Sequence, residues 1–66
     1  MQIIVNGEVR PLAGDMTVQA LLQTLDLGEG RIAVEHNGEI VPRSEFSSRQ
    51  LGDGDKIEIV QAIGGG

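Results

Sequence analysis

The stretch "TVQALLQTLD", Thr17 to Asp26, is where the periodicity of the sequence changes, and that change decides the fold class. Val18, Leu21, Leu22 and Leu25 recur at i, i+3, i+4 and i+7, which gathers them into one stripe of an amphipathic helix. Thr17 stands at the N-cap, where its hydroxyl can accept a first-turn N–H. Ala20, rather than Glu or Gln, occupies the third position beyond it, so the reciprocal half of a capping box is missing. Gly28 and Gly30 read as the stop and the loop that follows.

On both sides of the helix the period is two. "MQIIVNGEVRPL" carries two short β-prone runs around Asn6-Gly7, a pair that tolerates positive φ at both central turn positions and so predicts a tight hairpin. Met1, Ile3 and Val5 share one face of the first strand, and Gln2, Ile4 and Asn6 the other. Pro11 has no N–H, which suits an edge or terminal position in the second strand. "RIAVEHN" places Ile32 and Val34 on one face and Ala33 and Glu35 on the other. Asn37-Gly38 is a second turn, "EIV" a short strand ended by Pro42, and "RSEFSS" a single helical turn that tucks Phe46 into the core. "LGDGD" is a polar turn and "KIEIVQAI" the last strand. The order β-β-α-β-β-β indicates the α+β class, a mixed sheet of about five short strands wrapped around one helix.

Sixty-six residues make one domain, near the lower limit for a self-sufficient core. With no cysteine there is no disulfide or Cys-based metal site to staple it, so stability rests on aliphatic packing around a single aromatic, Phe46. Five basic and ten acidic residues give a net charge of −5. That sign disfavours nucleic acid and anionic membrane and fits a partner with a basic face. No apolar stretch approaches the ~20 residues of a membrane span. The opening "MQIIVNGEV" lacks the charged and apolar regions of a signal peptide, so the expected location is the cytoplasm, with the chain beginning at its native methionine.

Candidate sites are few. Asp53-Gly54-Asp55 lacks the spaced carboxylates and terminal Glu of a calcium loop and reads as a plain turn whose acids cap local N–H groups. His36, the only histidine, has no second His, Cys or Ser-His-Asp grouping to join, and reads as a partly exposed structural residue. Gly28-Glu29-Gly30 follows a helix instead of opening one, unlike a phosphate-binding loop. Arg31 and Arg43 are isolated in an acidic chain, either solvated or in surface pairs worth ~0–1 kcal/mol, or in contact with an acidic patch on a partner. No catalytic residue, bound cofactor or metal site is expected. If the first and last strands lie side by side, Ile4, Val60 and Ala62 project away from the helix, joined by Ala33. Such a group is either a docking patch or ordinary surface aliphatics.

By elimination the unusual feature is the end, "IGGG". Glycines have no Cβ and can pass between close walls where a side chain would clash. Four residues from Ile63 reach about 13 to 14 Å when extended. The α-carboxylate they carry is a poor electrophile until activated, typically as an acyl-adenylate made by a partner from ATP. Glycine ends also occur as frayed tails, so the tail alone does not decide its role.

The whole chain resembles the β-grasp (ubiquitin-like) sulfur carriers, and within them the ThiS group of thiamin biosynthesis. The resemblance is carried by "VNGE", by "TVQALLQTL", by "VEHNGEIVPRSEF" and by "LGDGDKIEIVQAIGGG". It implies a β-grasp domain over residues 1–63 and a flexible glycine tail over 64–66, with no processing protease needed. It also implies a chemistry in which a ubiquitin-activating-like (ThiF-type) adenylyltransferase uses ATP and magnesium to adenylate Gly66. Sulfur from a persulfide donor then leaves a thiocarboxylate on Gly66, with Gly64 and Gly65 supplying a narrow approach, and a ThiG-type thiazole synthase accepts the sulfur. The carrier is a cosubstrate, monomeric when free, and not an enzyme. Because first and last strands are adjacent and parallel in this family, the resemblance also places Ile4 beside Val60 in a docking patch with Ala62. Two relatives of the same fold remain as alternatives. The small subunit of molybdopterin synthase usually carries aromatic and proline residues before Gly-Gly, which "IEIVQAIGGG" lacks, and a protein modifier would be joined to lysines. A binding module with an idle tail would tolerate loss of Gly64 to Gly66.

Overall fold

A computed structural model describes residues 1–12, 14–27 and 31–61. Strands β1 (Gln2–Val5) and β2 (Glu8–Pro11) form the first hairpin, with Val5 opposite Glu8 so that Asn6-Gly7 is the whole loop. Their φ angles of 49° and 83° are those of the mirror-image turn whose twist suits a hairpin. The second Asn-Gly pair repeats the device between β3 (Ile32–His36) and β4 (Glu39–Val41), with Asn37 and Gly38 at 52° and 84°. Helix α1 (Val18–Thr24) lies between the hairpins, and a 3₁₀ turn (Arg43–Glu45) precedes β5 (Lys56–Gln61). The five strands form one sheet in the order β2-β1-β5-β3-β4, with β5 parallel to β1 and antiparallel to β3. This is the mixed α+β sheet that the sequence predicts, with Pro11 ending an edge strand.

The helix is short and depends on borrowed caps. Thr17 Oγ1 accepts from the Ala20 N–H at 3.1 Å, and the N–H groups of Val18 and Gln19 donate to the carbonyls of Arg49 and Phe46. The chain after the 3₁₀ turn thus satisfies first-turn donors that the helix cannot satisfy itself. At the other end the helix stops sooner than Gly28 suggests. Asp26 takes φ 61°, the Leu27 N–H reaches the Leu22 carbonyl at 2.7 Å, and the Asp26 N–H reaches that of Gln23. These are the two bonds of a Schellman cap. An aspartate fills the left-handed position usually given to glycine, as its short polar side chain allows. Gly28 and Gly30 lie outside the described residues.

One face of the sheet and the helix stripe enclose the core. Ile3, Val5, Val34, Ile57 and Ile59 from the strands meet Val18, Leu21 and Leu22, with Leu12, Val41, Phe46 and Leu51 closing the sides. Leu25 and Ile32 pack against this cluster half-buried, whereas Met1 precedes β1 and is exposed.

Beyond the end of β1, the side chain of Asn6 continues the pairing that the backbone has abandoned. Its Oδ1 accepts the Ile59 N–H at 2.7 Å and its Nδ2 donates to the Ile59 carbonyl at 3.1 Å. Replacing Asn6 with glycine keeps the positive φ at no steric cost and removes only this pair of bonds. Asn6→Gly is expected to lose about 1–3 kcal/mol, because a part-buried N–H and C=O lose their partners. The urea midpoint measures it, and an unchanged midpoint would show that water replaces the asparagine freely.

Candidate functional site

The last strand positions the candidate tail, so the site begins with what surrounds β5. Ile57 and Ile59 point into the core, leaving Lys56, Glu58 and Val60 on the opposite face of the sheet. Val60 is 66 % exposed and Ile4 is half-buried. The two are not neighbours. Ile4 is aligned with Lys56 and Val5 with Ile57, so Val60 lies four residues further along β5, about 13 Å at the usual strand rise. The Ile4 N–H donates to the Asp55 carbonyl and the Gly54 N–H to the Gln2 carbonyl, and these bonds fix that register. Alternation assigns residues to a face but leaves the offset between strands open, which is why the expected adjacency fails. Val9 stands opposite Ile4, and Ala33 stands opposite Val60 as its real partner. Ala62 and residues 63–66, Gly64, Gly65 and Gly66 among them, lie outside the described residues.

Where β5 ends, Gln61 pairs with Ile32 and Val60 with Ala33. Ile32, Ala33 and Val60 line a shallow groove of about 310 Å³, with Arg31 and Arg43 completing it. The two arginines that are isolated in sequence are thus brought to one place, beside the last described residue of β5. Arg49, which the sequence reading did not single out, bridges Glu39 at 2.7 Å and Glu45 at 3.3 Å. Its hydrogen bond to Glu39 and the charges of both glutamates hold its guanidinium pKa above the ordinary value, against partial desolvation. Among the described residues, no group of three or more His, Cys, Asp or Glu side chains is placed to hold a metal ion.

Where β5 begins, a polar cluster pins it. His36 Nε2 lies 2.6 Å from Asp55 Oδ2, which also accepts the Gly52 N–H at 2.7 Å. Asn37 Nδ2 donates to Asp55 Oδ1, while Asn37 Oδ1 accepts the Lys56 N–H at 2.8 Å. Since an ionised carboxylate can only accept, Nε2 is the donor of this bond. Asp53 Oδ1 caps the Gln2 N–H at 2.8 Å. The Asp53-Gly54-Asp55 turn therefore uses its acids on N–H groups, as expected of a plain turn. His36 is structural, its side chain 11 % exposed. The pairing with Asp55 was illegible because it joins residues 19 apart across two strands.

Comparison with known proteins adds the following. The model of the ThiS family matches residues 3–66. A thiazole synthase of Paramagnetospirillum magneticum is 48% identical over 66 residues, covering 100% of this chain and 20% of that protein, so the chain spans one fifth of that relative's length. The sulfur carrier protein ThiS of Escherichia coli K12 is 38% identical over 66 residues and is covered, like this chain, over 100% of its length. The crystal structure of the thiamine biosynthesis protein ThiS from Geobacter metallireducens is similar at a TM-score of 0.82 and 33% identity, over 100% of both chains. No helix among the described residues is long and apolar enough to cross a membrane.

The pin at the start of β5 has a pH signature. Partial burial raises the Asp55 pKa, but hydrogen bonds from His36, Gly52 and Asn37 and the charge of His36 outweigh it and hold the carboxyl below its usual range. A folded value below the unfolded one means that Asp55 adds stability above the unfolded pKa of about 3.9 and loses it as pH falls through the folded value. The difference in unfolding free energy between the wild type and Asp55→Asn is expected to shrink as pH falls from about 5 to 2. Urea titrations across that range measure it. A difference independent of pH would remove the carboxylate from the account.

Proposed function

The chain belongs to the ThiS family, and from that premise we propose that it is a sulfur carrier of thiamin biosynthesis that works through Gly66. The observation that carries the proposal is the extent of the likeness. The family match runs through the last glycine, and the likeness to the Escherichia coli carrier covers the whole of both chains.

The proposed chemistry follows from what a carboxylate needs in order to carry sulfur. An adenylating enzyme of the ubiquitin-activating type, using ATP and magnesium, converts the Gly66 carboxylate to an acyl-adenylate and releases pyrophosphate. Attack by the outer sulfur of a persulfide on the acyl carbon expels AMP and gives an acyl disulfide. A second thiol then cleaves its S–S bond, forming a disulfide with the donor's inner sulfur and leaving the outer sulfur on Gly66 as a thiocarboxylate. Gly64 and Gly65 leave the approach to that carbon free of side chains. The acceptor is a thiazole synthase. Support for that partner is that proteins named thiazole synthase, from Paramagnetospirillum magneticum and Magnetococcus marinus, contain a segment like this chain. A sulfur carrier and the synthase it serves gain effective concentration when joined in one polypeptide.

Intact mass of the protein isolated from its own cells, with fragmentation, tests the proposal. Under conditions where thiamin must be made, one oxygen replaced by sulfur is expected at Gly66. Deleting Gly66, or adding one residue after it, is expected to abolish sulfur loading and leave the melting temperature unchanged. Retained loading in either variant would sink the role given to the terminus, and a conjugate on another protein's lysine would make the chain a modifier.

A further inference from the structure

Asparagine loses its side-chain ammonia most readily when glycine follows, because that residue has no Cβ to shield the attacking nitrogen. The chain carries this dipeptide twice, at Asn6-Gly7 and Asn37-Gly38, in turns of the same conformation. A Cβ built on Gly7 or on Gly38 would meet nothing within 4 Å, so both turns are open. In the reaction the glycine main-chain nitrogen attacks the asparagine Cγ and the Cγ–Nδ2 bond breaks. The proton lost by the glycine N–H leaves with Nδ2 as ammonia. Water then opens the cyclic imide on one side or the other, giving aspartate or isoaspartate.

Local sequence makes the two sites alike, and the fold separates them. Each asparagine donates its main-chain N–H to β5, Asn6 to the Ile57 carbonyl and Asn37 to that of Lys56. Each Oδ1 accepts a β5 N–H, from Ile59 and from Lys56. The difference lies at Nδ2, the nitrogen that must leave. In Asn6 it donates to the Ile59 carbonyl, a part-buried main-chain group of the middle strand, and freeing it strands that carbonyl. In Asn37 it donates to Oδ1 of Asp55, an exposed contact with a side chain, where water can take its place.

The product at Asn37 also has a consequence. Its carboxylate has no N–H to offer Asp55, so two negative oxygens meet where Nδ2 lay 3.1 Å from Oδ1. The start of β5 is held by His36 and the Gly52 N–H on Asp55, and by the Lys56 N–H on Asn37. Deamidation places a repelling pair inside that cluster.

We propose that Asn37 is a modification site of the folded chain. It converts to aspartate and isoaspartate by attack of Gly38, and the conversion loosens the start of β5. Asn6 is protected until the chain unfolds. The inference concerns the body of the domain and is independent of what the tail carries.

Incubation of the full chain at neutral pH and physiological temperature, with and without urea, tests it, with peptide mapping by mass to read the two sites separately. Each folded rate is taken relative to the same site's rate in urea, so that effects of flanking residues cancel. The ratio for Asn37 is expected to exceed that for Asn6 by about tenfold or more. Equal ratios, the reverse order, or no product at Asn37 in the folded chain would overturn the site. Asn37→Asp reads the consequence and is expected to melt below the wild type. Adding Asp55→Asn returns a donor to the contact, so the double variant is expected to lose less than the sum of the two single losses. Additive losses would remove the carboxylate pair from the proposal, and an unchanged melting temperature in Asn37→Asp would sink the loosening of β5.

Discussion

The main chain of Ile59 is held by the carboxamide of Asn6, 53 residues earlier, and the placement of β5 depends on that bond pair and its counterpart at Asn37. Asn6 reaches β5 from the β1 side, and Asn37 reaches the Lys56 N–H from the β3 side. Each asparagine does two jobs. Its backbone takes the left-handed conformation that opens a tight turn, and its side chain closes a hydrogen bond that the neighbouring strand is too short to supply. Glycine would serve the turn and lose the bond. A β-branched residue would be strained in the turn. With β5 fixed in the middle of the sheet, Ile57 and Ile59 become the floor of the core against which Val18, Leu21 and Leu22 pack. A chain without cysteine obtains in this way some of the long-range tethering that a staple would give.

Local chemistry was legible and long-range offset was not. The stripe of Val18, Leu21 and Leu22, the alternation in β1 and β3, the Asn-Gly turns and the Thr17 cap are written within a few residues of where they act, and all are found in place. The helix end was misplaced because an aspartate took the left-handed position two residues before the first glycine, and propensity favours glycine there. The alignment of Ile4 with Lys56 depends on bonds from the Gly52–Asp55 turn back to the first strand, which no periodicity encodes. The second role of Asn6 and Asn37 had a faint signal. The same residue, rather than Asp or Gly, opens both turns, and a carboxamide carries a donor and an acceptor on separate atoms. The candidate site divides likewise. Its glycines and the exposure of Val60 could be read from sequence, while the pairing of Val60 with Ala33 appears only with the register.

The division of labour in the molecule follows from this arrangement. The titratable groups His36 and Asp55 are committed to pinning the start of β5, and the arginine with a perturbed pKa, Arg49, ties β4 to the 3₁₀ turn. What the described residues present outward is a shape and a charge pattern. Those are the properties by which a substrate is recognised. On the carrier reading, the β-grasp body is the handle of a substrate whose reacting atom lies several residues away.

The geometry of β5 also bears on how such a handle is used. Gln61 is still paired, to Ile32, so the body fixes the chain up to that residue. On the carrier reading, the one tail can enter only one active site at a time. The enzyme that loads the sulfur and the enzyme that accepts it then cannot both be bound, and transfer requires release from the first before docking on the second. Modest affinity for each partner suits that sequence better than tight binding, since a long residence on the loading enzyme would withhold the loaded carrier from its acceptor.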